Sequence, residues 1–183
     1  QAAIAGSEIH GFARRVPDAD VTFENPGDHL RSLFGAGTPV IGICAAGILI
    51  RLLAPKLADK TSEPAVIAVA EDGSAVVPLL GGHRGANGLA AEIAAAFGVV
   101  ASVTTAGDVR FGAALDDPPD GWTLANPDDM KPFTAALLAG EAVRLDDTLP
   151  SWVADTDIPR DLGGTLRITA TPQRELVFLP WLA

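Results

Sequence analysis

The sequence predicts an α/β protein in which a three-layer mixed sheet, with helices on both faces, is followed by a small α+β domain. Short apolar segments rich in β-branched residues alternate with segments of helical periodicity. The Asp72-Gly73 pair between two apolar runs predicts an antiparallel hairpin, so the sheet is expected to be mixed. An acidic, proline-rich joint that begins at Asp116 divides the chain into predicted domains over residues 1–115 and 116–183.

The first readable element is a helix. Asn25 is a typical N-cap and Pro26 suits the first helical position, so the helix is expected to end near Gly35. The apolar run Pro39–Cys44 then predicts a strand, and Ala46–Ala54 predicts a second helix. This second helix is apolar nearly all round, with one arginine as the exception. We therefore expect other elements to cover it.

Two further strands are predicted at Ala65–Ala70 and Ala75–Leu80, which flank the hairpin turn. Pro78 removes one donor from the second of these strands, which favours an edge or a bulge. After a glycine-rich loop, helical spacing of apolar residues predicts a helix over Leu89–Phe97. The run Val99–Thr104 is expected to form the last strand of this domain.

The second domain is predicted to contain one helix and two strands. Asn126 and Pro127 mark the start of the helix, which is expected to run to Gly140. The runs Leu166–Ala170 and Glu175–Leu179 read as strands. This pattern is typical of a small α+β unit.

Composition excludes several classes of protein. Of 183 residues, 48% are hydrophobic, which is too many for a disordered chain. The net charge of -10 would repel a phosphate backbone, so we expect no nucleic-acid partner. Cys44 is the only cysteine, which excludes an internal disulfide and favours a reducing, cytoplasmic location. No apolar run reaches the length of a membrane span, so no membrane partner is expected.

The densest functional signal is the loop Gly81–Gly88, which has four glycines between a strand and a helix. The unpaired amides of the next helix's first turn can bind an anion there. An imidazole and a guanidinium within the loop could meet the same ligand. The alternative is a tight turn in which Asn87 only caps the helix and His83 is only a surface residue. The candidate residues of this loop are Gly82, His83, Arg84, Gly85 and Asn87.

A second candidate is the turn from Cys44 to Gly47, with Arg51 behind it. If the strands before this turn and before the glycine-rich loop run parallel, both helix N-termini lie at the same edge of the sheet. Two anion sites would then converge. Arg51 lies among apolar residues, so it is expected to pair with a carboxylate or to reach a ligand. Cys44 is expected to be a small buried residue and not a nucleophile.

Other chemistries find no support in the sequence. The three histidines, His10, His29 and His83, have no metal-ligand spacing, so no metal and no cofactor are expected. No GxSxG elbow of a serine hydrolase occurs. The glycine spacing matches neither GxxxxGK[ST] nor GxGxxG, which leaves nucleotide binding unsupported.

The run from Ile43 to Gly98 resembles the CbiG family of cobalamin biosynthesis proteins. The resemblance rests on a small-residue turn before a GI-x-x-R-x-x-AP helix (Gly47–Pro55), a DK-x-x-x-PAV segment (Asp59–Val66), the hairpin, and an LL-x-GH-x-GAN-x-LA loop (Leu79–Ala90). It implies a CbiG N-terminal-like α/β domain with its first elements cut short. A CbiG middle-like α+β domain follows.

The resemblance implies cobalamin biosynthesis, with a precorrin or cobalt-precorrin macrocycle as partner. Hydrolase members of the family open the δ-lactone of cobalt-precorrin-5A and release acetaldehyde. By this resemblance His83 would be catalytic, and Gly47, Arg51 and the other loop candidates would bind substrate. The alternative is a docking module of a precorrin-3B C(17)-methyltransferase fusion, because the loop reads GHRGAN where hydrolase members tend to read GH-x-GGAN. Either role implies further domains of a parent chain.

Overall fold

The computed structural model describes residues 4, 6–60, 62–119, 121–145, 149–170 and 176–180, and of these it describes His83 and 176–180 by backbone alone. The chain divides into two compact units, Gln1–Val103 and Thr104–Ala183. Helices and strands occur in both, so the predicted α/β class is confirmed. Throughout the described ranges, no helix combines the length and the apolar character that crossing a membrane requires.

The first unit carries five strands and three α-helices in its described part. The strands are β1 (His10–Phe12), β2 (Val21–Phe23), β3 (Val40–Ile43), β4 (Val66–Val69) and β5 (Val76–Leu80). The helices are α1 (Pro26–Gly35), α2 (Ala46–Leu53) and α3 (Ala86–Phe97), and short 3-10 turns occupy Ala54–Lys56 and Gly82–Arg84. β1 and β2 pair in parallel, apart from the main sheet.

The main sheet has the strand order β3-β4-β5. β3 runs parallel to β4, whereas β5 runs antiparallel to β4, so the predicted mixed sheet is confirmed. Val66 lies opposite both Val40 and Leu80, so the starts of β3 and β4 and the end of β5 lie together. This end of the strands is one of the two edges of the sheet at which loops can form a site. Val69 lies opposite Ile43 and Val76 at the other edge. β4 is buried along its whole length because it is the central strand.

Helices cover both faces of this sheet, as predicted. Val66 and Ala68 of β4 pack with a core cluster from α1 and α2. Ile67 and Val69 point to the other face, where they pack with Ile93 and its neighbours on α3. The alternation along one strand therefore divides the core into two layers, as the pleat of a strand requires.

Local sequence signals explain how the helices of this unit begin and end. Asn25 caps α1, since its Oδ1 accepts hydrogen bonds from the amides of Gly27 (3.0 Å) and Asp28 (3.2 Å). α3 ends at Gly98, whose φ of +70° favours glycine. Both predicted helices are confirmed, although α3 begins earlier than expected.

Two expectations about this unit are wrong. α2 is not covered all round: its inner side is buried, but Ile48 and Ile50 are 47% and 46% exposed, because only one side faces the sheet. Val99–Thr104 is not a strand. Its bond to the sheet is from the Ser102 amide to the Val76 carbonyl (2.8 Å), and its apolar residues Val99 and Ala101 instead pack on the α3 side of the core. Pro78 lies on an edge strand beside a register shift, as predicted.

The second unit has a core of its own, built around Phe111, Phe133, Leu137 and Val153. Its helices are α4 (Ala106–Phe111) and α5 (Pro127–Ala139), with a 3-10 turn at Ser151–Asp155. Its strands are β6 (Trp122–Leu124), β7 (Val143–Arg144), β8 (Arg160–Asp161), β9 (Ile168–Thr169) and β10 (Leu176–Pro180). β6, β10 and β9 form one sheet, and β7 and β8 pair in parallel.

The predicted elements of the second unit are confirmed with bounds that differ by one or two residues. α5 begins at Pro127 and is followed by Gly140, whose φ is +104°. The predicted strand at Leu166–Ala170 shortens to β9, and the next predicted strand corresponds to β10. Glu175, the first residue of that predicted strand, lies outside the described residues.

Candidate functional site

The two glycine turns that were expected to converge lie at opposite edges of the main sheet. The turn before α2 follows Ile43, where β4 ends and β5 begins. The loop Gly81–Gly88 follows Leu80, beside the starts of β3 and β4. A four-residue strand separates these edges by about 10 Å. The predicted convergence is therefore wrong, because β5 runs antiparallel to β3 and not parallel to it.

The helices behind these turns also lie on opposite faces. α2 packs on the face of Val66 and Ala68, whereas α3 packs on the face of Ile67 and Val69. Their first turns share neither an edge nor a face of the sheet. The two turns are therefore two separate candidate sites.

The loop Gly81–Gly88 is pinned to the start of β4. The carbonyl of Gly81 accepts hydrogen bonds from the amides of Arg84 (2.8 Å) and Ala86 (3.1 Å). A Cβ added at Gly81 would lie 2.5 Å from the carbonyl oxygen of Pro64 and 2.6 Å from the Cα of Ala65. Gly81 also has a φ of +77°, so both its conformation and its close contact with backbone require glycine.

Apart from the buried Ala86, the rest of the described loop is half-buried or exposed. Arg84 is exposed, and a Cβ at Gly82 would meet no atom within 4 Å. Gly85, with a φ of +76°, holds the N-cap position of α3, which has no side-chain cap among the described residues. Asn87 therefore lies inside the first turn and is not the N-cap, contrary to the alternative considered above. His83 lies in the 3-10 turn, and its side chain is outside the description.

Two lysines lie on the segment that connects α2 to β4. α2 starts at the far edge, and β4 starts at the loop's edge, so the segment that connects them must return to the loop's edge. Lys56 and Lys60 lie on that segment and are exposed. The same segment carries the acidic Asp59 and the largely buried Glu63. Sequence reasoning missed these lysines, although their place just before β4 was the signal that could have found them.

Arg51 is exposed and does not lie within an apolar interior. Its Nη1 donates a hydrogen bond to the carbonyl oxygen of Gly47, one turn earlier in α2 (3.1 Å). A Cβ at Gly47 would lie 3.0 Å from that nitrogen. The expectation of a buried charge that needs a carboxylate is wrong, because Arg51 lies on the uncovered side of a helix that is buried on one side only.

Cys44 is half-buried at the end of β3. Burial raises the pKa of the Cys44 thiol, which keeps it protonated near neutral pH. This environment does not activate a nucleophile. Within the described ranges, no three His, Cys, Asp or Glu side chains gather closely enough to hold a metal ion.

Together these features define a three-layer α/β domain in which a glycine-rich strand-to-helix loop with an exposed arginine lies at one edge of a mixed sheet. Residues 28–108 match the family model described as Cobalamin synthesis G N-terminal. This stretch includes most of α1, all of α2 and α3, the main sheet and the whole loop. This stretch is thus similar to the cobalamin synthesis G N-terminal family, and the resemblance to CbiG proteins is confirmed.

Curated relatives agree with this assignment. The chain is 34% identical over 117 residues to a cobalt-precorrin-5A hydrolase of Priestia megaterium, which covers 62% of this chain and 31% of the relative. It is 45% identical over 87 residues to a cobalt-precorrin-5A hydrolase of Salmonella typhimurium, which covers 47% of this chain and 25% of the relative. The matches therefore span less than a third of each relative.

One solved structure is also similar. It is the crystal structure of a cobalamin biosynthesis protein G homolog from Sulfolobus solfataricus, with 19% sequence identity and a TM-score of 0.41. The comparison covers 84% of this chain and 55% of that chain.

Proposed function

We propose that this chain acts in cobalamin biosynthesis and binds a precorrin or cobalt-precorrin intermediate at the loop Gly81–Gly88. The observation that supports this most is the position of the loop inside the family-matched segment, 28–108. The named relatives act on a cobalt-precorrin. The domains are proposed as a CbiG N-terminal-like domain over residues 1–115 and a middle-like domain over 116–183.

The chemistry of the ligand suits this edge of the sheet. A precorrin carries several acetate and propionate groups, which are anions at neutral pH. The proposed donors for such groups are the first-turn amides of α3 other than that of Ala86, which already donates to the Gly81 carbonyl, together with the guanidinium of Arg84. The ammonium groups of Lys56 and Lys60 are proposed to add to them. A chain of net charge -10 needs a local positive site to bind an anionic macrocycle.

The second part of the proposal is that the glycines of the loop let a ligand come close to the main chain. Gly82, Gly85 and Gly88 place no side chain between the loop and a ligand, so a carboxylate can come close to the main-chain amides. The proposal assigns the substrate to this edge. Gly47 and Arg51 are not assigned to this contact, because they lie at the other edge of the sheet and their helix packs on its opposite face.

Absorption titration with cobalt-precorrin-5A tests the binding step. Gly82→Ala adds a methyl group where nothing lies within 4 Å, so the fold should be unchanged while ligand approach is hindered. We expect this variant to bind at least tenfold more weakly than the wild type. The control is Gly107→Ala, in α4 of the second unit, where the backbone is not left-handed and the added Cβ would meet one atom at 3.6 Å. Equal affinity of Gly82→Ala and the wild type would refute binding at this loop.

A catalytic role for His83 is the finer part of the proposal. Its imidazole would act as a general base toward water, while loop amides and Arg84 would stabilise the oxyanion formed at the lactone carbonyl. General-base catalysis contributes about 100- to 10,000-fold in rate. Acetaldehyde release by His83→Ala should fall on that scale, with substrate affinity retained. Unchanged release by this variant would remove the catalytic role.

The second candidate function is a docking module of a precorrin-3B C(17)-methyltransferase fusion. It is favoured by one observation, the sequence GHRGAN in the loop, with a single glycine before Ala86. A module predicts tight tetrapyrrole binding without release of acetaldehyde. Measurement of binding and release on the same preparation therefore distinguishes the module from the hydrolase.

A further inference from the structure

Two histidines from different elements share a hydrogen bond in the first unit. Nδ1 of His10, on β1, lies 2.7 Å from Nε2 of His29, in α1. Their ring centroids are 4.9 Å apart. Phe23, on β2, stacks on the ring of His29 with a centroid distance of 4.6 Å and an interplanar angle of 12°. The pair therefore joins β1 and β2 to the first helix of the family-matched segment.

Glu8 lies on the side of the His10 ring that faces away from His29. Oε2 of Glu8 is 3.6 Å from Nε2 of His10. A carboxylate only accepts hydrogen bonds, so the attractive arrangement places a proton on this Nε2. Nδ1 of a neutral His10 then accepts, and Nε2 of His29 donates.

The hydrogen bond between the two imidazole rings can persist when one proton is added, but not when two are added. With a single added proton, one ring still offers a lone pair to the other ring. With both imidazoles protonated, two N–H groups and two positive charges face each other across 2.7 Å. The second proton must therefore break the bond between the rings.

The same geometry argues against a metal site. Glu8 faces Nε2 of His10, while His29 faces Nδ1 on the other side of that ring. The three side chains do not converge on one point. A metal ion between the rings would have two protein ligands, which is fewer than structural or catalytic zinc sites use.

The other charged groups of these elements have partners of their own. Oδ2 of Asp20, in the loop before β2, accepts from the amide of Ile9 (2.9 Å). Asp28 and Arg31 of α1 form an ion pair at 2.6 Å. β2 contributes the uncharged Phe23. Within the described ranges, Glu8 is thus the charged side chain that contacts the histidine pair.

We propose that the pair His10–His29 is a pH-sensitive latch: it holds β1 and β2 against α1 while at most one additional proton is bound, and it releases them when both rings are protonated. Burial and the neighbouring His10 lower the pKa of His29 from 6.5, which agrees with this scheme. Unfolded His29 then takes up its proton at a higher pH than folded His29. The stabilisation is present above pH 6.5 and is lost as the pH falls through the lowered pKa.

Nuclear magnetic resonance on the 183-residue chain tests the latch directly. Labelled imidazoles should show a 15N–15N coupling across the hydrogen bond at about pH 7.5 and lose it at about pH 5, on either side of the ordinary histidine pKa. Protection of the β1 and β2 amides against hydrogen exchange should fall at least tenfold over this range, while β4 amides keep theirs. Absence of the coupling at the higher pH would overturn the proposal.

Variants separate the latch from a general effect of pH. In His29→Gln the protection of β1 and β2 should no longer depend on pH, because glutamine does not titrate in this range. In His10→Gln the protection should likewise lose its pH dependence, because one of the two titrating rings is absent. The same pH dependence in the wild type and both variants would contradict the latch.

Discussion

Replacement of Gly81 by alanine should destabilise the first unit more than any other single-methyl addition in the loop. The left-handed backbone costs an L-residue about 1–2 kcal/mol. The added Cβ would also lie 2.5 Å from the Pro64 carbonyl oxygen and 2.6 Å from the Ala65 backbone, where no flexible side chain can move aside. Overpacking of this kind costs about 1–3 kcal/mol. We expect a total loss of about 2–5 kcal/mol in the free energy of unfolding.

Two matched variants isolate these contributions. Gly98→Ala has the positive φ, +70°, but nothing within 4 Å of the added Cβ, so it should lose about 1–2 kcal/mol. Gly82→Ala has neither feature and should change stability by less than about 0.5 kcal/mol. Equal losses for Gly81→Ala and Gly98→Ala would refute the close backbone contact.

Hydrogen exchange of β4 amides during urea titration is the assay of choice. Tryptophan fluorescence is unsuitable for this purpose, because Trp122, Trp152 and Trp181 all follow residue 103 and therefore belong to the second unit. Far-UV circular dichroism at each urea concentration checks that the helices unfold together with β4.

Three further predictions follow from buried contacts, a helix cap and a pKa. Leu53→Ala should destabilise the first unit by about 2–5 kcal/mol, because Leu53 is fully buried, and Ile48→Ala, at a half-exposed position, should cost much less by the same urea assay. Asn25→Ala should cost about 1 kcal/mol through loss of the α1 cap, and Asn25→Asp should retain most of it; equal losses would contradict the cap. Hydrogen bonds from the Ser74 side chain and amide lower the pKa of Asp72 from 3.8, so the stabilisation is present above pH 3.8 and is lost as the pH falls through the lowered value. Carbon-detected titration of Ser74→Ala should show this pKa moving back toward 3.8, and no movement would exclude the side-chain bond as its cause.

Local chemistry accounts for what the sequence predicted well. Asn25 and Pro26 specify the start of α1, and Asp72-Gly73 specifies the hairpin, because each signal involves residues only a few positions apart. Apolar alternation then indicates which strand is central. The mixed sheet and its two helical faces follow from these local rules.

The wrong convergence of the two turns has a topological cause. A crossover helix between β3 and β4 makes those strands parallel, and a tight hairpin makes β5 antiparallel to β4. Applied together, the two rules place the glycine turns at opposite edges. The sequence signals for the crossover and for the hairpin, taken together, therefore predict that the two turns lie apart.

Other features depend on contacts that sequence patterns do not encode. Arg51 was expected to be stranded in an apolar interior, but burial of a short helix on one side leaves it exposed. His10 and His29 are 19 residues apart, and their hydrogen bond requires β1 to pair in parallel with β2 beside α1. No spacing rule relates two such histidines. Their proximity is seen only in the three-dimensional structure.

Charge reversal at the two edges tests the proposed site most directly. A hydrogen bond to a charged group contributes about 1.5–3 kcal/mol, which corresponds to a tenfold or greater change in Kd. Cobalt-precorrin-5A should therefore bind Arg84→Glu at least tenfold more weakly than the wild type, while Arg51→Glu, at the far edge, stays within about twofold. Circular dichroism of both variants confirms an intact fold. Equal weakening by both variants, or weakening by Arg51→Glu alone, would contradict binding at the loop Gly81–Gly88.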